Sequence, residues 1–442
     1  MKLPSYVSQI ISCLRENGFE AYAVGGCVRD SLLGNIPKDY DVTTNAKPDE
    51  IKKCLLDYRI IDTGIKYGTV TVISDGEPVE VTTYRIDGKY NDNRRPDDVT
   101  FTTSLAEDLK RRDFTVNAMA YNDKVGIIDL FGGKNDLDNG VIRAIGNPVE
   151  RFNEDGLRIL RALRFASRYG FKIEEKTAKA IHSCRYLLSN IAGERIAAEF
   201  NQIICGSCEN ILREYYDVFS VFIPQLENCV GFEQHTKYHN RDVFEHILTT
   251  VSAIKPVKHL RLAMLFHDIG KPDYFTKDEN GTGHFKGHAA GSYAIAEQVL
   301  KNLKYDKETT KKVLELIKSH DIILENRESL IKRCLNRYGE ELFFDIIDVH
   351  IADDLGKAPE YQERIEVYKE IIETAKLIIS EQNCFSLKNL AVNGNDIKKI
   401  GYEGIQVGKI LSMLLEKVID GKCENERNAL LEEVHKFGGG IN

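Results

Sequence analysis

The sequence has no apolar run of the roughly 18 residues that a membrane-spanning helix needs, which excludes a helical membrane protein. It has no excess of positive charge: 60 Lys and Arg face 68 Asp and Glu, a formal net charge of −8 at pH 7. That balance excludes a uniformly basic nucleic-acid coat and leaves room for a local basic stripe. The amino-terminal stretch lacks the continuous apolar block and small-residue cleavage site of a signal peptide. Leu3, Val7, Ile10, Ile11 and Leu14 fall there at helical spacing instead. The 10 cysteines form no paired framework and read as reduced cytoplasmic thiols. Cys205-Gly-Ser-Cys208 has the spacing of a redox or zinc pair, but without a second pair plain packing cysteines are the simpler reading. Repeats of solenoid period and low-complexity tracts are also missing. What remains is an ordinary soluble balance, 42% apolar and 29% charged, in 442 residues, enough for about three domains. A soluble, cytoplasmic, multidomain protein is expected.

Strand and helix patterns mix over the first 150 or so residues. Ala21–Val24 and Asp39–Thr43 read as short strands, and Gly68–Ile73 with Val79–Tyr84 as a hairpin around Ser74-Asp75-Gly76. Ser104 followed by Glu107 is a capping-box signal for a helix carrying Leu105 and Leu109. From Asn153 onward the pattern is almost wholly helical, with a polar segment near Glu227 to Asn240, an interruption at Asn393-Gly394-Asn395 and a last amphipathic helix near Val407 to Val418. Residues 151–200 carry ten basic and six acidic side chains, a short basic stretch inside an acidic chain.

The strongest local signal is Gly25-Gly26-Cys27-Val28-Arg29-Asp30, followed by Asp39-Tyr40-Asp41. Two glycines between a strand and a helix let backbone N–H groups approach a phosphate, and the helix N-terminus adds positive potential. Arg29, one turn in, can pair with a triphosphate oxygen. Residues two apart on a strand face one side, so Asp39 and Asp41 converge on a point where a divalent cation relieves their repulsion. Mg²⁺, which takes one or two carboxylates plus substrate phosphates, suits the pair; two exposed turn aspartates are the plain alternative. Glu80 lies in an alternating apolar strand and is either a third carboxylate on that side or the solvent face of the hairpin.

These motifs resemble the polymerase-β nucleotidyltransferase superfamily and, within it, the class II group of bacterial CCA-adding tRNA nucleotidyltransferases and poly(A) polymerases. Arg111-Arg112-Asp113-Phe114-Thr115-Val116-Asn117-Ala118-Met119, Glu154-Asp155-Gly156-Leu157-Arg158, Gly193-Glu194-Arg195-Ile196 and the loop Arg85 to Val99 agree in order. The resemblance implies an α+β head with a mixed sheet, followed by an all-helical neck and body. It also implies transfer of nucleotides from CTP or ATP to the 3′ end of tRNA, with Mg²⁺ held by Asp39 and Asp41, Glu80 nearby, and Gly26, Arg29 and Arg112 on the triphosphate. Asp155 and Arg158, a helical turn apart, offer acceptors and a donor fork that can imitate a base edge. Arg161 and Arg164 continue a cationic ridge ending at Arg168; a solvated arginine face is the plain alternative. In family members that add the terminal A, a loop placed like Arg85–Val99 helps the site accept ATP. Ala391 to Asp396, Gly404 and the helix near Val407 resemble the terminal region of Gram-positive-type CCA-adding enzymes, a region expected to bind the tRNA acceptor arm.

A second resemblance lies in Tyr238 to His246, then His267-Asp268-Ile269-Gly270-Lys271, His288, His320-Asp321 and Asp353. The order His…His-Asp…Asp is similar to the HD phosphohydrolase superfamily. His246, His267, Asp268 and Asp353 match its basic ligand set, and His288 and His320 stand where two-metal members carry extra ligands. Imidazoles and carboxylates on separate helices suit Mn²⁺, Ni²⁺, Co²⁺ or Fe²⁺. Phosphatase or 2′,3′-cyclic phosphodiesterase activity follows from an intact set, and a vestigial structural cluster is the plain reading. The expected division is a head over 1–148, neck and body over 149–232, an HD domain over 233–356 and a helical tail over 357–442. The competing functions are an A-adding enzyme or poly(A) polymerase and, from another class, a phosphohydrolase whose head only binds nucleotide. The residues leave the oligomeric state open.

Overall fold

A computed structural model describes residues 1–62, 64–88 and 99–438; most of the expected nucleotide-switching loop, from Lys89 to Asp98, lies outside them. The chain divides into two compact units, one of residues 1–227 with 302–305, the other of residues 228–301 with 306–442.

The first unit opens with α1 (Ser5–Glu16), which buries Val7, Ile10, Ile11 and Leu14, the stripe set by their helical spacing. A sheet follows, built from β1 (Ala21–Val24), β2 (Asp41–Thr44), β3 (Arg59–Ile61), β4 (Thr69–Ser74) and β5 (Glu77–Thr83). The short strands β6 (Arg85–Asp87) and β7 (Val99–Phe101) pair with each other, and β8 (Met119–Asn122) and β9 (Gly126–Asp129) complete the main sheet. Its seven strands run in the order β3-β4-β5-β2-β1-β8-β9. All pairings are antiparallel except β2 with β5, which is parallel. The β4–β5 hairpin forms where expected, because Asp75 and Gly76 both take positive φ, 52° and 85°, as a two-residue type I′ turn requires. Between the strands lie α2 (Gly26–Leu32), α3 (Pro48–Cys54) and α4 (Leu105–Lys110), then α5 (Gly133–Asp138). Ser104 caps α4 as expected, its hydroxyl accepting the Glu107 N–H.

Helices α6 (Pro148–Glu154), α7 (Leu157–Tyr169), α8 (Glu175–Cys184), α9 (Gly193–Ile204), α10 (Glu209–Glu214) and α11 (Tyr216–Phe219) follow, and α12 (Gln225–Cys229) lies at the division between units. α7 buries Ile159, Leu160 and Leu163 and packs along α9.

The second unit holds α13 (Val243–Ala253), α14 (Lys258–Phe266), α15 (His288–Asn302), α16 (Lys307–Ser319), α17 (Glu328–Tyr338) and α18 (Glu340–Gly356). It continues through α19 (Arg364–Ser380), α20 (Gly394–Lys399), α21 (Ile405–Ile419) and α22 (Arg427–Gly438). α13 packs against α14 and α18, and α16 against α14 and α18. Ile397, Ile410, Leu414, Leu415, Leu430 and Val434 form the core of the last three helices.

The α+β architecture is the one expected, with four local differences. β2 begins at Asp41 rather than Asp39. Asn393 does not interrupt a helix but caps one, its side chain accepting the Asn395 N–H at 2.9 Å. The helix near Val407 is not the last; α22 follows and contributes Leu430 and Val434 to the same core. Two-residue strands, Thr276–Lys277 with Gly283–His284, interrupt the helical run. Among the described residues no helix is long and apolar enough to cross a membrane, and all ten cysteines, Cys205 and Cys208 included, are free thiols.

Candidate active site and metal centre

Around β2, exposure alternates: Asp39 and Asp41 are exposed while Tyr40 and Val42 are buried, so the two carboxylates share a side even though only Asp41 is in the strand. The parallel β2–β5 register places Glu80 directly opposite Asp41, and Glu80 is exposed between buried Val79 and Val81. Crowding by surrounding atoms raises the Asp41 carboxyl to about 6, with Glu80 and Asp39 adding to the rise and Arg112 opposing it. A cluster in which carboxylates obstruct each other's ionisation is one that a divalent cation stabilises. The donor set therefore fits Mg²⁺.

Gly25 precedes α2 with φ +80°, and a Cβ there would stand 3.1 Å from Arg112 Nη1. Glycine thus admits the Arg112 guanidinium to the turn. The Gly25 N–H is used by the Met119 carbonyl, which leaves the phosphate-facing role to the groups from Gly26 on. Arg112 is steered by Asp108, fully buried, whose carboxylate lies 3.5 Å from Arg112 Nη2 and accepts from Thr43 Oγ1 at 3.1 Å and Arg111 Nη2 at 2.8 Å. Burial alone would raise the Asp108 carboxyl; Arg111 and Arg112 overcome it and hold it below the usual range.

Arg29 is placed differently from the expected triphosphate contact. It is buried, donates to Asp30 and Asn117, and lies over the Phe165 and Tyr169 rings at 4.9 and 5.2 Å. Arg161 donates through Nε and Nη2 to Asp113 Oδ2 at 2.8 and 2.5 Å, and Asn117 Nδ2 donates to Asp113 Oδ1 at 3.0 Å. Arg164 lies 3.2 Å from Glu199. The ridge is therefore charge-compensated: Arg158 has Glu154, Arg161 has Asp113, Arg164 has Glu199, and Arg168, about half exposed, reaches Asp30 at 4.0 Å.

The expected helix-face pair of Asp155 and Arg158 does not form. Asp155 lies in the break between α6 and α7 with extended backbone, φ −140° and ψ 105°. Its carboxylate accepts the Leu157 N–H and faces Arg195 at 3.6 Å. Arg158 turns away, donating to Glu154 and to the carbonyls of Arg151 and Arg111. A carboxylate two residues before a helix start can satisfy an orphan N–H there, as Asp155 does for Leu157, and this overrides the continuous helix that the spacing suggested. Asp108, Asn117, Glu199 and Arg195 acquire site roles that the sequence reading did not give them. The i, i+3 and i+4 spacing of Asp108 with Arg111 and Arg112 is a signal that was available.

In the second unit the six expected ligands come together. His246 Nε2 lies 3.2 Å from His267 Nε2, 3.2 Å from Asp268 Oδ2 and 3.1 Å from Asp353 Oδ1. On the other Asp268 oxygen, His288 Nε2 lies 3.1 Å from Oδ1 and His320 Nε2 3.8 Å, with the two imidazoles 3.1 Å apart. Each histidine turns Nδ1 to a backbone carbonyl: His246 to Gly356, His267 to Met264, His288 to Phe285 and His320 to Ile317. A carbonyl only accepts, so each Nδ1 carries the proton and each Nε2 presents a lone pair. Four lone-pair nitrogens aimed together, with Asp268 spanning the two groups, need cations between them, and backbone-fixed tautomers are how metal-binding imidazoles are oriented. The set fits two transition metals. Lys271 Nζ lies 2.6 Å from Asp268 and Lys357 Nζ 2.8 Å from Asp353, partners at i+3 and i+4 that the sequence reading did not name.

The mixed sheet with carboxylates on its inner strands β2 and β5 is that of a nucleotidyltransferase head: residues 21–143 match the Poly A polymerase head domain family. Residues 170–229 match an RNA- and SrmB-binding family of polymerase A, and residues 288–434 a tRNA nucleotidyltransferase domain 2 family. The chain is 52% identical over 428 residues to a CCA-adding enzyme of Lacticaseibacillus paracasei, covering 96% of this chain and 94% of that one. It is 33% identical over 441 residues to a CCA-adding enzyme of Ligilactobacillus salivarius, covering 97% and 95%. Its fold is similar to that of the Bacillus stearothermophilus CCA-adding enzyme in complex with CTP, with a TM-score of 0.70, 27% identity and full coverage of both chains. A Thermotoga maritima CCA-adding enzyme complexed with tRNA shares the fold at 20% identity and a TM-score of 0.59, covering 98% of this chain and 94% of that one. The chain belongs to the CCA-adding enzyme family.

Proposed function

We propose that the protein adds C, C and A in turn to the 3′ end of tRNA, taking CTP and ATP, with Mg²⁺ at Asp39 and Asp41 and Glu80 beside them. The observation that carries this reading is the β2–β5 register, which sets two carboxylates side by side on an exposed strand face, in a chain whose relatives are CCA-adding enzymes along nearly its whole length. Mg²⁺ bound there supplies charge for the departing pyrophosphate and acidifies the attacking hydroxyl. The chain's own part is positioning. Arg112, held by Asp108 against Gly25, meets the triphosphate, Gly26 lets it approach, and Asp155 with Arg158 reads the base once Arg158 leaves Glu154. Arg29, Arg161 and Arg164 hold α7 in place through Asn117, Asp113 and Glu199. The test uses tRNA transcripts ending before the first C, before the second C and before the A, each with one or both nucleoside triphosphates. Ordered addition of C, C and A followed by a stop supports the reading; long A tails would overturn it.

A second activity is favoured by the four backbone-fixed imidazoles: an HD-type phosphohydrolase centre over residues 233–356. Mn²⁺, Ni²⁺, Co²⁺ or Fe²⁺ held by His246, His267, Asp268 and Asp353, and by His288 and His320, supplies Lewis acidity toward a phosphoryl oxygen. Phosphate esters at RNA 3′ ends, cyclic or open, are its substrates in this reading. Hydrolysis that survives a His267→Ala, Asp268→Ala double variant would refute it. The four-part division into head, neck and body, HD domain and tail, the acceptor arm as the bound part of tRNA, and a cytoplasmic site of action belong to the same proposal.

A further inference from the structure

Beside the His246 centre lies a cavity of about 450 Å³, lined by Gly231, residues 233–236 and residues 239–242. Two observations join it to the centre. The His239 ring meets the His246 ring edge to face at 4.7 Å. Gln234, also on the cavity, accepts from Lys271 Nζ at 2.8 Å, and that same Nζ lies 2.6 Å from Asp268.

Two residues of the lining, His239 and Thr236, each hold a polar atom that is shielded from solvent and has no hydrogen-bond partner among the described residues, Nδ1 and Oγ1 respectively. Unsatisfied buried polar atoms cost stability and so call for a ligand that pairs them. Next to Thr236, His235 holds φ at +52°, the kind of strain that collects at binding sites. The lining sets Arg241 against Glu233 and Asp242, a near-neutral balance that does not suit a second phosphate. It contains no Phe, Tyr or Trp ring on which a base would stack. A hydroxyl, which both donates and accepts, suits an imidazole nitrogen paired with a threonine hydroxyl.

We propose that this cavity is a ribose subsite of the His246 centre, where His239 Nδ1 and Thr236 Oγ1 read the 2′-hydroxyl of a terminal ribonucleotide whose 3′-phosphate is hydrolysed. This rests on the phosphohydrolase reading of that centre. In the reaction the oxygen of water bonds to phosphorus and the bond from phosphorus to O3′ breaks. A proton from that water ends on O3′, giving inorganic phosphate and a 3′-hydroxyl. A free 3′-hydroxyl is the group that nucleotide addition consumes, so the two activities stand in sequence.

The test compares adenosine 3′-monophosphate with its 2′-deoxy analogue on the full chain loaded with Mn²⁺. The wild type should favour the ribose form by at least about tenfold in kcat/KM, because a site built to bond a hydroxyl rejects the analogue without it. His239→Ala and Thr236→Val should each bring the ratio to within about twofold, and calorimetric titration of the two nucleotides into metal-free chain should show the same loss of preference in affinity. Ordered C and A addition reports that the variants are folded. If His239 only supports His246, both substrates slow equally and the ratio stays, which would overturn the subsite. Wild-type chain that hydrolyses neither nucleotide nor p-nitrophenyl phosphate, yet binds the ribose form selectively, would instead remove the phosphohydrolase reading and keep the cavity as a ribonucleotide site.

Discussion

Asp113 sits second in an Arg-Asp-Phe motif whose arginine draws the attention, yet it does the structural work of joining α7 to the head. Burial would raise its carboxyl; Arg161, first, and the Asn117 amide hold it far below the usual range. A carboxyl depressed on folding stabilises the native state above its unfolded pKa of about 3.9, and that contribution is lost as pH falls through the folded value. Acid unfolding followed by circular dichroism should therefore begin at higher pH in Asp113→Asn, whose loss at neutral pH we set at about 2–4 kcal/mol. The lower end applies because the Arg161 side chain is one-third exposed. In the carboxylate cluster, Asp41→Asn should lower C and A incorporation by about 10²–10³-fold at saturating nucleotide without lowering Tm, since it removes a carboxylate whose ionisation burial, Glu80 and Asp39 oppose. That Asp39 and Asp41 share a side was legible from their two-residue spacing, because the alternation of exposure extends past the start of β2 to Asp39. Glu80 was half legible, since its partner depends on register, which the sequence does not display. Arg29 and Arg158 were legible as cations, but their pairing was not, because their acceptors, Asn117 and a set of carbonyls, include groups from chain segments far away in sequence.

Elements were read well wherever a local rule governs them: the Asp75-Gly76 turn, the Ser104 cap and the amphipathic α1 all stand where their residues put them. They were misread where a polar side chain overrides periodicity, as Asp155 does between α6 and α7, or where one helix was taken to end a chain that continues into α22. Two glycines stand where a side chain would crowd a group of the candidate sites. A Cβ on Gly356, the last residue of α18, would lie 2.6 Å from His246 Nδ1. Gly356→Ala should weaken Mn²⁺ binding, measured by calorimetry, by about 10–100-fold, the range for disturbing the partner of a metal-bound imidazole. At Gly25, alanine would face both an unfavourable φ and the Arg112 guanidinium. Gly25→Ala should raise KM for CTP and ATP together and cost about 1–2 kcal/mol in stability.

At the scale of the molecule, Asp39, Asp41 and Glu80 belong to one compact unit, and the cluster of His246, His267, Asp268, Asp353, His288 and His320 belongs to the other. The His267→Ala, Asp268→Ala double variant should therefore keep ordered C, C and A addition within about twofold while losing phosphate-ester hydrolysis, as residues that share no partners behave additively. Radiolabelled nucleotide incorporation and phosphate release on one preparation would check both halves. The change from mixed strands and helices to helices alone was legible from the pattern of residues, whereas the boundary between the two compact units, near residue 227, falls inside the helical part; the neutralised state of the basic helix was not legible, because charge counts along a chain do not show which acids fold back onto it.

The parallel pairing of β2 with β5 also bears on how the head folds. Its neighbour β4–β5 closes through a two-residue turn and can form within microseconds, whereas Asp41 meets Glu80 only after the intervening segment of chain has been looped and ordered. Loop closure of that kind is the slow, entropy-limited part of folding. The carboxylate centre is thus a late product of the head's folding, and a chain still emerging from the ribosome has no nucleotide-transferring site until residues past Glu80 have joined the sheet.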